Sequence, residues 1–268
     1  MVTFPGSKLN LGLHILAKRK DGYHDIETCF YPIPWTDVLE FQPSAKWSFE
    51  CTGLHIAGNL SDNLCVKAYE LLNKDFSLPG VQGHLHKIVP MGAGLGGGSA
   101  DAAHTLRILN QLFELHLSAN QLADYANRLG SDCPHFLKDM TTVGRGRGEI
   151  LEPIDLTLKG HFLVVVTPEV HVSTAEAYAG VVPQVPSENL DRLLRLPIHQ
   201  WRDRLTNHFE STVFHRYPEL EQMKKSLYDI GAIYASLSGS GASLFGIFTK
   251  EISRDNNFHG MNGWSGWL

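Results

Sequence analysis

The sequence predicts a mixed α+β protein built in two parts, and three observations carry that reading. A strand-like run, Leu85 to Val89, enters the loop Pro90-Met91-Gly92-Ala93-Gly94-Leu95-Gly96-Gly97-Gly98-Ser99-Ala100-Asp101, and a helix leaves it with Ala102, Leu106, Leu109 and Phe113 on one face. That helix runs into a second one, Gln121 to Leu129, not into the parallel strand a dinucleotide-binding fold requires. Past Pro153 the chain changes to an apolar strand, Phe162 to Val166, which places a domain boundary near residue 152 and divides the chain into 1–152 and 153–268.

Composition narrows the classes. With 268 residues, 43% of them hydrophobic, the chain can bury a substantial core. A net charge of −5 without a basic block argues against nucleic acid as a partner. No apolar stretch approaches a membrane span, and Lys8 and Asn10 interrupt the first apolar run where a signal peptide would continue. Cys29, Cys51, Cys65 and Cys133 are scattered without a C-x-x-C pair and read as reduced thiols. The expectation is a cytoplasmic protein with no membrane partner and no obligate protein partner. His84 and His86 share a strand face, but no further ligand is spaced to match them, so a solvated face is expected there.

In chain order, residues 3–17 read as a strand entering the core, with Lys8 and Asn10 near its start. Asp21-Gly22 is a strong hairpin turn that delivers Tyr23 and His24 onto the returning strand. Those two rings suit either edge packing or a platform for a nucleobase. Residues 28–58 are strand-like and turn-rich. Ser61-Asp62-Asn63 caps a helix whose apolar face is Leu64, Ala68, Leu71 and Leu72.

The glycine loop carries the chemistry. First-turn amides of the helix that follows have no intrahelical partner, and the macrodipole adds partial positive charge where they point. Glycine at positions 92, 94, 96, 97 and 98 removes the Cβ atoms that would hold phosphate oxygens off the backbone. Gly92-x-Gly94-x-x-Gly97 is a weak dinucleotide match that fails on context, and Gly98 stands where a Walker A loop needs lysine.

Ser118 to Gln121 is a capping box that opens the next helix, and Gly130 is placed to close it as a C′ residue. Asp132 in Ser131-Asp132-Cys133-Pro134 reads as a helix cap with Pro134 in the first turn. Gly144-Arg145-Gly146-Arg147-Gly148-Glu149 is a basic, flexible hairpin that suits phosphate or solvent equally. Leu220, Met223, Leu227 and Ile230 line one face of a helix that stops at Gly231. Ser238-Gly239-Ser240-Gly241 turns the chain between two strand-like runs within 235–248, and the tail from Thr249 lacks clear periodicity.

The loop resembles the phosphate loop of the GHMP kinases, the family named for galactokinase, homoserine, mevalonate and phosphomevalonate kinases. Lys-Leu-Asn-Leu-Gly-Leu-His-Ile at 8–15 and Asp-Gly-Tyr-His at 21–24 select within that family a kinase acting on a cytidine-diphosphate-linked methylerythritol of isoprenoid synthesis. The resemblance implies two subdomains with the active site in the cleft between them, a nucleotide-binding domain over 1–152 and a C-terminal domain over 153–268. It implies ATP and Mg²⁺, with the ATP phosphates on Pro90 to Ala100, Ser99 reaching the metal and Asn63 on the adenosine side. Lys8 and Asp132 become catalytic, the cap and catalytic readings of Asp132 being compatible. Asn10, Tyr23, His24, Thr174 and Tyr178 become substrate-binding, and Ser238, Gly239 and Gly241 form the active-site floor. The reaction implied is phosphorylation of the substrate's 2-hydroxyl. A homoserine- or mevalonate-type kinase, or a non-catalytic ligand sensor, is the alternative.

Overall fold

The computed structural model describes residues 1–268. Its strands are β1 (Val2–Thr3), β2 (Gly6–Lys18), β3 (His24–Thr36), β4 (Val38–Pro43), β5 (Ser48–Gly53), β6 (Val81–Lys87), β7 (Thr142–Arg145), β8 (Ile150–Pro153), β9 (Phe162–Thr167), β10 (Tyr234–Leu237), β11 (Leu244–Phe248) and β12 (Asn262–Trp267). Its α-helices are α1 (Leu64–Phe76), α2 (Gly97–Leu112), α3 (Ala119–Leu129), α4 (Thr174–Ala179), α5 (Leu190–Leu194), α6 (Phe209–Arg216), α7 (Pro218–Asp229) and α8 (Arg254–Asn257). The chain forms two compact units, one of Met1–Lys8, Pro34–Met91 and Gly96–Met140, the other of Leu9–Ile33, Gly92–Leu95 and Thr141–Leu268. Compactness thus divides the chain differently from a single cut near residue 152, because β2 and β3 each run from one unit into the other.

The first unit holds the sheet β1-β4-β6-β5, in which only the β5–β6 pair is parallel. Leu39, Phe41 and Leu85 from this sheet pack with Leu72 of α1 and with Leu106 and Leu109 of α2. Strand β6 alternates as a half-buried strand should, with Val81, Gly83, Leu85 and Lys87 inward. It starts earlier than the expected Leu85 and ends at Lys87, because the N–H groups of Ile88 and Val89 turn to the Asp37 carboxylate instead of a neighbouring strand. On the outer face Thr52 joins both imidazoles, its hydroxyl 2.9 Å from His84 Nε2 and 2.9 Å from His86 Nδ1.

The caps follow local chemistry. Asn63 Oδ1 accepts the Cys65 N–H at 2.8 Å, and Ser118 and Gln121 form a full capping box on α3. Gly130 ends α3 with φ 171°, an extended conformation, so its expected left-handed role is not used.

The second unit holds most of the sheet β2-β3-β7-β8 and the sheet β10-β11-β9-β12. Val164, Val166, Leu237, Leu244 and Phe248 from the latter pack against Phe209, Val213, Leu220 and Leu227 of α6 and α7. The tail that shows no periodicity is structural. Its strand β12 runs antiparallel to β9, and Trp267 meets Phe162 edge-on at 5.3 Å. No helix is long and apolar enough to cross a membrane, and all four cysteines are free thiols.

Candidate functional site

Lys8 and Asp132 are far apart in the chain and meet in the first unit. Strand β2 carries Lys8 into the core, where it is 3% exposed, and its Nζ lies 3.6 Å from Asp132 Oδ2. Burial lowers the Lys8 ammonium below the usual lysine value, with Asp132 opposing by charge and hydrogen bonding. Asp132 stays 34% exposed, so its carboxylate is open on the side away from the lysine. The cap reading does not hold. The 3-10 turn His135–Leu137 has Pro134 at its N-cap and no side-chain cap, and it is the backbone carbonyl of Asp132 that accepts the His135 N–H at 3.2 Å. His135 is itself buried; desolvation, helped by the nearby Lys8 charge, pushes its imidazole down to about 4, so it is neutral. The Cys133 thiol, raised by burial to about 12, touches the Ser99 hydroxyl.

The glycine loop fits an anion, though not for all the expected reasons. Gly92, Gly94 and Gly96 have φ of +64°, +78° and +73°, which L side chains rarely adopt. Helix α2 starts at Gly97 with Gly96 as N-cap, so no capping side chain occupies the space in front of its first amides. The expectation that all five glycines clear room for phosphate needs correction. A Cβ at Gly94 would stand 1.9 Å from the Ser238 carbonyl oxygen, and one at Gly96 would stand 2.6 Å from the Phe136 ring. At Gly97 and Gly98 it would lie 3.0 Å from Lys87 Nζ and 3.0 Å from Met91 Cε. Only at Gly92 would a Cβ meet no more than ordinary van der Waals contact, with the His171 ring 3.5 Å away. Four of the five glycines therefore answer to close packing within the protein.

Within the second unit the turn after β10 packs on the loop. Ser238 Oγ donates to the Gly94 carbonyl at 2.9 Å, and the Ser243 N–H donates to the Ala93 carbonyl at 3.1 Å. A Cβ at Gly239 would lie 3.2 Å from Gly94 and 3.3 Å from Asn10 Oδ1, while Gly241, at φ +92°, would meet Leu237 at 3.1 Å. Asn10 is buried and donates from Nδ2 to Thr28 Oγ1 at 2.9 Å. Asn207, a residue sequence reasoning missed, donates to the carbonyls of Leu237 and Gly239 at 2.9 and 2.8 Å and so holds the turn. Nothing in its local sequence signals this, because both acceptors are carbonyls some thirty residues away.

The hairpin between β2 and β3 closes with the Arg19 N–H on the Tyr23 carbonyl at 2.8 Å and with Gly22 at φ +87°. Tyr23 is 57% exposed at its tip, one ring face covered by the Arg147 guanidinium at 4.9 Å. His24 stacks on Tyr178 at 4.7 Å and 17°, and Tyr178 in turn meets Phe209 edge-on. Burial, then the nearby Lys18 charge, holds the His24 imidazole below its ordinary value. The structure therefore joins Tyr178 to His24, while Thr174 sits exposed at the start of α4 behind its Ser173 cap. The two arginines of the basic hairpin separate in role. Arg145 pairs with Glu27 at 3.0 Å, with Asp191 at 2.7 Å and with Glu152, whereas Arg147 lies over Tyr23.

Comparison with known proteins gives the family. The family model for the GHMP kinases N terminal domain matches residues 63–140, and that for the GHMP kinases C terminal matches residues 188–259. The chain is 49% identical over 255 residues to a 4-diphosphocytidyl-2-C-methyl-D-erythritol kinase of Bacteroides fragilis, covering 94% of this chain and 93% of that one. A crystal structure of 4-(cytidine 5'-diphospho)-2C-methyl-D-erythritol kinase superposes with a TM-score of 0.84 at 30% identity, over 99% of this chain and 98% of that one. A homoserine kinase from Cytophaga hutchinsonii shares the fold at TM-score 0.67 and 19% identity, over 99% of this chain and 92% of that one.

Proposed function

The chain belongs to the 4-diphosphocytidyl-2-C-methyl-D-erythritol kinases of the GHMP family, and from that premise we propose that it phosphorylates the 2-hydroxyl of 4-diphosphocytidyl-2-C-methyl-D-erythritol at the expense of ATP. The observation that carries the reading is the buried Lys8 ammonium set 3.6 Å from a carboxylate that stays open to one side. That is the arrangement needed to take a proton from an alcohol while favouring the developing alkoxide.

ATP supplies the phosphoryl group. Asp132 orients the substrate hydroxyl and accepts its proton as the hydroxyl oxygen gains that group and ADP leaves. Lys8 sets its ammonium beside the Asp132 carboxylate and offsets charge on the oxygen. The loop amides from Gly92 to Ser99 hold the phosphates, helped by the uncapped start of α2. Mg²⁺ would be held by the phosphates and Ser99, neutralising their charge. On the substrate side, Tyr23 offers its uncovered face to the cytosine beside the neutral His24 and Tyr178. Binding of the cytidine end, which does not itself react, provides energy for orientation.

Asn63 caps α1 through Oδ1 and donates from Nδ2 to Cys51 Sγ at 3.7 Å, so on the adenosine side it would act by fixing the start of α1. The homoserine-kinase neighbour supports the fold alone. ADP release, measured with ATP and each of the cytidine diphosphate substrate, homoserine and mevalonate, tests the proposal. Turnover confined to the cytidine substrate is the expected result; turnover of another alcohol, or none at all, would remove it.

A further inference from the structure

We propose that Lys87, Asp37 and Asp101 are positioning residues for ATP, a buried charge cluster that ties the strand entering the phosphate loop to the helix leaving it. This rests on the reading of the loop as the ATP phosphate site. The alternation of β6 puts Lys87 on the inward face after Val81, Gly83 and Leu85, where an apolar side chain would be expected. There its Nζ donates to Asp101 Oδ2 at 2.7 Å and to Asp37 Oδ2. All three side chains are buried. The other Asp37 oxygen accepts the N–H groups of Ile88 and Val89 at 2.6 and 2.8 Å, so the same carboxylate fixes the backbone that leads into Pro90. Asp101 lies in the first turns of α2, and a Cβ at Gly97 would come within 3.0 Å of Lys87 Nζ. The ammonium therefore stands directly behind the first residue of that helix.

Stability does not account for such a cluster. Taking ions out of water is costly, and well-packed apolar side chains of similar volume commonly hold a core as well or better. One ammonium is shared between two carboxylates, and Asp101 Oδ1 is buried without a hydrogen-bond partner. Burial works to lower the Lys87 ammonium, but the two carboxylates outweigh it and raise it, so the lysine stays charged. Burial likewise pushes the Asp101 carboxyl up. What the cluster does supply is directional hydrogen bonding at both ends of a loop rich in glycine, whose backbone is otherwise soft. Apolar packing has no such direction.

The test compares Lys87→Met, Asp101→Ala and Asp101→Asn at a temperature well below their melting points. Lys87→Met and Asp101→Ala should raise KM for ATP roughly 10- to 100-fold, weaken a non-hydrolysable ATP analogue in parallel by calorimetry, and leave KM for the cytidine substrate within about threefold. Asp101→Asn keeps an oxygen acceptor for Lys87 and should recover most of the lost affinity. Should Lys87→Met fail to fold, the Asp101 pair decides. Folded variants that melt earlier yet bind the analogue within about threefold of wild type would overturn the proposal, as would a parallel rise in both KM values. Failure of the wild type to bind the analogue would mark the loop reading, not the cluster alone, as wrong.

Discussion

Replacing Asp132 by Asn separates the chemistry of the Lys8–Asp132 pair from its contribution to the fold. As the acceptor of the hydroxyl proton, Asp132 is worth about a hundredfold or more in kcat, equivalent to at least roughly 2.7 kcal/mol of barrier, with a much smaller change in KM. The pair also carries stability. Unit charges 3.6 Å apart attract by about 4–5 kcal/mol at an effective dielectric near 20. Because Asp132 is open to water on one side, the loss on neutralising it should be nearer 1–3 kcal/mol, or several degrees of melting temperature. That loss has a diagnostic pH dependence. Lys8 binds its proton less tightly folded than unfolded, so it subtracts stability below its folded pKa, and the deficit is recovered as pH rises through that value toward 10.5. Asp132→Asn removes both influences that raise Lys8, so its pKa falls further and the deficit at pH 7 grows. The difference in melting temperature between variant and wild type should therefore shrink from pH 7 toward pH 10. Calorimetric scans across that range, with initial rates at pH 7.5, make the measurement. Near-normal kcat together with a melting difference that ignores pH would refute both the proton-transfer role and the coupling to Lys8.

Two further perturbations probe the loop and the base platform. Gly94→Ala drives a Cβ to 1.9 Å from the Ser238 carbonyl at a φ of +78°, while Gly92→Ala meets only ordinary van der Waals contact with the His171 ring at a comparable φ. Urea unfolding should show the first costing about 3 kcal/mol or more and the second about 1 kcal/mol, and the reverse order would contradict the packing described for the loop. Tyr23→Ala or His24→Ala should weaken the cytidine substrate by roughly 5- to 150-fold, the worth of one aromatic–base stack, with ATP-analogue affinity hardly altered. Competition by CDP against the substrate provides the readout; unchanged competition in both variants would reduce the rings to edge packing.

What the sequence determined by itself was local or carried by residue type. Periodicity placed α1, α2, α3 and α7, cap chemistry placed Asn63 and the Ser118–Gln121 box, and the glycine run with the Lys8, Tyr23-His24 and Asp132 segments pointed to the family. Each signal lies within one turn, one strand or one short motif, where spacing along the chain is a fair guide to spacing in the fold. Tertiary structure decided the rest. Asp132 reads equally as a cap until Lys8, brought from the other end of the unit, claims its carboxylate. Gly94 reads as phosphate clearance until the Ser238 carbonyl is seen to fill the space a Cβ would need. Lys87 reads as one residue within the Leu85–Val89 strand run until Asp37 and Asp101 close around it, and the tail becomes β12 only because β9 offers an unpaired edge. In each case the partner is distant in sequence, and whether a charge is paired or a glycine crowded depends on that partner, which no local spacing records.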